Sequence, residues 1–234
     1  MRSGYQQRSY QRPVPDKPNH RIVVGTILGL ALLLDSFVAT QAADSQGGKA
    51  LAGLTDFVKV GNNGSLLASG AVLGPGATDW ACTRQVSTRL TWEVKLPAAG
   101  VLRSASNTYS WRDSDNSRNG GTPGLANGGS CSGSACDTQA FVAAVNATQL
   151  CGYSDWRLPS KSELQGIVVQ SGQGTGTAVT PGSYFPSVSA SAYWTGINLA
   201  PNPAMAWVVA MDLGNGIYRN KATPLRVMLV RGGQ

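Results

Sequence analysis

Four cysteines, Cys82, Cys131, Cys136 and Cys151, are the tightest constraint this 234-residue chain places on its own fold. In a reducing compartment they would be buried thiols or metal ligands, and in an oxidising one they would be disulfides that pin distant segments together. The residues ahead of them bear on that choice. Arg2, Arg8, Arg12, Lys17 and Arg21 precede an apolar run from Ile22 to Leu34, and Ser36, Ala39, Thr40, Ala42 and Ala43 follow, which is the layout of a secretory signal. A helix of that run rises only about 20 Å against a hydrocarbon core of roughly 30 Å, and Asp35 interrupts its extension. Residues 1–43 are therefore expected to be a signal peptide cleaved near Ala42 or Ala43. The alternative is an uncleaved membrane anchor over residues 22–38. Either way the body, after a linker over 44–56, is expected outside the cytoplasm: periplasmic, secreted or on the cell surface.

Three disulfide pairings are formally open. Cys131 and Cys136 flank four residues of a Gly/Ser loop and can close locally, which leaves Cys82 to reach Cys151; that pairing is the expected one. Chain entropy assigns roughly 4 kcal/mol to the long closure and roughly 2 kcal/mol to the short one. A zinc tetrathiolate lacks its usual C-x2-C spacing.

Charge and histidine content remove other functions. Residues 1–42 carry five of the 19 Lys and Arg and two of the 12 acidic residues, so the rest has a net charge of only +4, scattered without a basic run. Nucleic acid is not an expected partner. The single histidine, His20, precedes the folded body, so histidine-based triads and most zinc sites are excluded there. No G-x-x-x-x-G-K loop is present, and Glu93, Glu163 and Asp212 have no evident partner for acid/base work.

The body, 57–234, reads as α+β. Phe57 to Val60 and the alternation Leu90, Trp92, Val94 predict strands, with Gly61-Asn62-Asn63-Gly64 as a turn. Residues 103–136 read as a long polar loop, too rich in Gly, Asn and Ser to build core. Asp137 caps a helix expected to run to about Leu150, with Phe141, Val142 and Val145 inward. Ser160-Lys161-Ser162-Glu163 is a capping box opening a second, with Leu164, Ile167 and Val168 inward. Strands return at Tyr193 to Thr195, at Ala204 to Asp212 with Met205, Trp207, Val209 and Met211 on one face, and at Leu225 to Arg231. Leu213-Gly214-Asn215-Gly216 is a hairpin signal between the last two. Strands at both ends and helices between suggest that the ends meet in one sheet.

Asp79-Trp80-Ala81-Cys82-Thr83-Arg84, Leu90-Thr91-Trp92-Glu93, and Leu150-Cys151-Gly152-Tyr153-Ser154-Asp155-Trp156-Arg157-Leu158-Pro159 with Glu163-Leu164 occur in that order. Tyr184-Phe185-Pro186, Tyr193-Trp194-Thr195, Arg226-Val227 and Val230-Arg231 follow them. Together these strings, over about Phe57 to Arg231, resemble the bacterial Lcl C-terminal domain family. The resemblance implies a C-type-lectin-like fold with a mixed or antiparallel sheet and two short helices. It also implies kinship to an adhesin whose terminal domain is associated with sulfated polysaccharides; most members have no assigned activity.

Asp155, Trp156, Arg157, Pro159 and Glu163 read as a structural motif that fixes the start of the second helix through a buried indole and charge-assisted hydrogen bonds. Trp194 and Trp207 read as core aromatics. Calcium-dependent sugar binding lacks its acidic-Pro-Asn string, since Asn202-Pro203-Ala204 has no carboxylate. Asp113 to Ser117 offers alternate oxygens, but Arg118 and Gly124 replace the glycine and glutamate of an EF-hand loop. No metal, cofactor or catalytic residue is expected, and the chain is not expected to be an enzyme. The expected function is an exported binding module, an adhesin for sulfated or acidic polysaccharide, with Arg118, Arg219 and Lys221 on loops as the ligand-facing cations. The alternative is a structural or assembly component of a cell-envelope or appendage complex whose partner is an envelope protein.

Overall fold

The computed structural model describes residues 56–168 and 180–233. The expected targeting segment and, apart from Asp56, the expected linker lie outside the described residues. Among the described residues no helix is long and apolar enough to cross a membrane.

The β-branched run at the start forms β1 (Phe57–Gly61), which the Asn-Asn-Gly turn folds back onto β2 (Leu66–Leu67), with Gly64 at a φ of +82°. β3 (Trp80–Gln85), β4 (Thr91–Glu93) and later β8 (Val230–Arg231) complete an antiparallel sheet in the order β2-β1-β3-β4-β8. The two ends of the body thus meet in one sheet, as expected. A second antiparallel sheet, in the order β5-β6-β7, comprises β5 (Ala192–Asn198), β6 (Met205–Ala210) and β7 (Asn215–Asn220). The fold is α+β, with two α-helices between the sheets in sequence.

Both helices begin where their caps predict. Asp137 accepts a hydrogen bond from Ala140 N at 2.9 Å and opens α1 (Thr138–Ala147), a cap worth about 1 kcal/mol. Ser160 and Glu163 form the full capping box of α2 (Lys161–Gly166). α1 stops three residues before the expected end. Gln149 and Cys151 both take left-handed backbone angles, φ +51° and +55°, and bend the chain into a 3₁₀ turn at Leu150–Gly152.

The core has two lobes that share one segment. Val227 and Leu229 enter a cluster with Tyr109, Trp111, Phe141, Trp156, Trp194 and Val208, while Met228 and Val230 enter another with Phe57, Trp92, Leu164, Phe185, Tyr193 and Met211. A segment buried on both sides reads as a continuous apolar run, as Val227-Met228-Leu229-Val230 does.

One expectation fails and another holds only in part. Residues 103–136 are not excluded from the core: Tyr109 and Trp111 are fully buried, and β-bridges Tyr109↔Leu225 and Ser110↔Asp137 tie them in. The flanking loop closes over them through Gly124, at φ +86°, where a Cβ would sit 2.0 Å from the Trp111 carbonyl oxygen. Of the face Met205, Trp207, Val209 and Met211, only Val209 and Met211 are buried. Ala206 and Val208 are fully buried on the opposite face, and Met205 and Trp207 are half-exposed. With a core lobe on either side, two-residue alternation no longer separates inside from outside.

Candidate binding surface

The Asp155 to Glu163 segment is a clasp. Trp156 is buried; its backbone N donates to Asn146 Oδ1 at 2.8 Å, and Asn146 Nδ2 returns a bond to the Trp156 carbonyl at 3.0 Å. That couples the segment to α1. Arg157 donates from both terminal nitrogens to Glu163, at 2.8 and 2.7 Å, and reaches the Gly232 carbonyl at 3.2 Å. Glu163 also accepts from Ser160 N at 2.7 Å. The Arg157 hydrogen bonds hold the Glu163 carboxyl below the usual range and push the Arg157 guanidinium up. Pro159, buried, offers its carbonyl to Gly196 N of β5 at 2.8 Å. The motif therefore joins α1, α2, β5 and the segment after β8.

Both expected disulfides are present, Cys82–Cys151 and Cys131–Cys136, and none of the four thiols is free. Such bonds fit an oxidising environment. Trp194 is fully buried and donates to the Tyr109 carbonyl at 2.8 Å, as a core aromatic should. Trp207 is instead half-exposed, with the Lys161 ammonium 4.2 Å from its ring centre and Tyr218 set edge-on at 6.1 Å. Glu93, without an evident partner in the sequence, is buried against Lys95 Nζ at 2.9 Å and accepts from Leu229 N at 3.0 Å.

The three cations expected to face a ligand do not form one site. Lys221 is only 2% exposed; its Nζ donates to the carbonyls of Asn119 and Thr122 at 2.8 and 2.6 Å and lies 4.2 Å from the Trp111 ring centre. Burial lowers its pKa, and its role is to fasten the 113–124 loop. Arg118 is exposed but committed, bonded to Asp113 at 2.9 and 3.2 Å and to Asp115 at 3.3 Å. The alternate oxygens weighed for calcium are thus engaged within their own turn, where Asp115 N and Ser117 N also donate to Asp113 and Asp115. Arg219 is exposed, but on edge strand β7 rather than in a loop, and donates to the Tyr218 carbonyl at 3.0 Å.

Another group of cations does converge. Arg84 pairs across the sheet with Thr91, and Thr91 with Arg231, so the three side chains share one face in a row over β3, β4 and β8. At about 4.8 Å per strand the two arginines start roughly 10 Å apart. With Arg89, which turns the chain at φ +60° between β3 and β4, and with Tyr153, they line a hollow of about 170 Å³. Arg231 stacks 3.7 Å from the Tyr153 ring centre and is oriented by Asp155 at 2.6 and 3.0 Å. Those hydrogen bonds lower the Asp155 pKa. Among the described residues no carboxylate pairs with Arg84 or Arg89. Arg84 and Arg231 stood in the sequence strings of the resemblance, but only strand register shows that they share a face.

A family model described as the Lcl C-terminal domain matches residues 81–231, well over half of the chain. The match begins later than the span from Phe57 read in the sequence, so β1 and β2 precede it. No curated protein and no solved structure matches the chain.

Proposed function

The chain belongs to the Lcl C-terminal domain family, and from that premise we propose that it is an exported, non-catalytic binding module, a surface adhesin with a C-type-lectin-like fold that recognises polyanionic glycans. The observation that carries this reading is the Arg84, Arg89 and Arg231 hollow. Two of its guanidinium groups have no acidic partner among the described residues, and the third is held in place by Asp155 and Tyr153. Planar forks arranged along a strand-spaced row suit sulfate or carboxylate groups repeating along a chain. The meeting of β1 and β8 in one sheet supports the lectin-like arrangement. The commitment of all four cysteines to disulfides supports an extracytoplasmic location and a role without thiol chemistry.

Retention on immobilised heparin as a function of salt tests the reading. The R84Q/R89Q variant is expected to elute at lower salt, with the salt dependence of retention reduced by about two charges. Equal retention of variant and wild type rejects the hollow as the site.

A second reading, a structural component of an envelope or appendage assembly, is favoured by one observation. Among the described residues β7 pairs only with β6, so its other edge is unpaired, and Tyr218 on it is 52% exposed. Such an edge accepts a strand from a partner protein. Absence of heparin retention even at low salt favours this reading.

A further inference from the structure

A separate cleft of about 420 Å³ opens between the 111–118 segment, the first turns of α1, Leu158 and Gly196. No residue lines both this cleft and the arginine hollow. Its size falls within the range usual for small-molecule sites. Its apolar lining comes from Trp111, Val142 and Leu158. Its rim is polar: Ser114 N donates to Gln139 Oε1 and Gln139 Nε2 to Ser114 Oγ, each at 2.9 Å.

Three arginines line the cleft, and charge pairing separates them. Arg118 is held by Asp113 and Asp115, and Arg157 by Glu163. Arg112 has no carboxylate partner among the described residues; its one guanidinium hydrogen bond, to the Gly124 carbonyl, is long at 3.3 Å. The cleft therefore offers one cation without a carboxylate partner beside paired charges that offset one another, with apolar side chains in the same lining. An extended polyanion finds little complement there, whereas a compact body with one carboxylate does.

We propose that this cleft binds a single carboxylated sugar residue of the uronic acid class. Arg112 takes the carboxylate as a charge-assisted pair, Val142 and Leu158 receive the C–H face of the ring, and Ser114 and Gln139 exchange hydrogen bonds with its hydroxyls. The inference is independent of the polyanion reading, since it uses other residues and a ligand with one charge.

The test is titration of the full-length protein with sodium glucuronate and with glucose, followed by calorimetry and amide chemical shifts. Glucuronate is expected to bind at least about tenfold more tightly than glucose, and R112Q to lose about tenfold or more of the glucuronate affinity, as the loss of a charge-assisted hydrogen bond predicts. Gln139→Ala, at an exposed position of the same cleft, is expected to weaken binding a few-fold and serves if R112Q fails to fold. No detectable glucuronate binding at millimolar concentration, equal affinity for glucose, or undiminished affinity in a folded Arg112 or Gln139 variant each overturns the proposal.

Discussion

Arg157 and Glu163, six residues apart, are joined by two parallel hydrogen bonds of 2.8 and 2.7 Å, and the same carboxylate closes the capping box of α2. One side chain thereby sets where a helix begins and how that start is held against the residues that follow β8. Because Arg157 also bonds Gly232, the pair ties the middle of the sequence to a segment 75 residues away.

Glu163→Gln is expected to cost about 1–3 kcal/mol at neutral pH. Since hydrogen bonds from Arg157 depress the folded pKa of Glu163, this stabilisation is complete above the ordinary glutamate value near about 4.3 and is lost as the pH falls through the lower folded value. Urea unfolding of wild type and variant should show a gap that narrows in that acid window. A gap unchanged at the acid end means that Glu163 does not act through its charge.

The two disulfides are expected to contribute unequally. Removing Cys82–Cys151, which closes 69 residues, should destabilise by about 4 kcal/mol, and removing Cys131–Cys136, which closes 5, by about 2 kcal/mol. Paired Cys→Ala variants compared by chemical denaturation measure this, and the reverse order would contradict it.

Glu93→Gln leaves the Lys95 ammonium buried without its counter-charge, and a loss of about 3–5 kcal/mol is expected. Adding Lys95→Met should recover a large part of that loss. If the double variant is as unstable as the single one, it is the carboxylate's bond to Leu229 N that matters instead.

Lys221→Met strands the Asn119 and Thr122 carbonyls and is expected to lower stability by about 1–3 kcal/mol. Heparin retention of the folded variant should not change. A drop in the eluting salt comparable to that of R84Q/R89Q would return Lys221 to the binding surface.

Local signals carried far in this sequence. Asp137 and the Ser160 box announced both helices because a cap is a contact between near neighbours, and the short cysteine loop left one sensible partner for each remaining thiol. What depended on register did not show. Nothing in Asn220-Lys221-Ala222 distinguishes a solvated lysine from one threaded between two carbonyls across a hundred residues. Likewise Arg84, Arg89 and Arg231 meet only because β3, β4 and β8 pair with a particular offset. Tyr109 and Trp111 were hidden among polar neighbours, and the glycines that read as loop are what allow the chain to close over them.

Residues 227–230 supply both lobes of the interior, yet they follow every other strand and helix described. Until that stretch is threaded between its neighbours, Trp92 and Trp194 each lack one wall, whatever sheets have already paired. Folding of this body is therefore expected to be gated by the arrival of its final core residues, and a ribosome or a protease that stops short of them leaves behind two half-built interiors with their aromatics open to water.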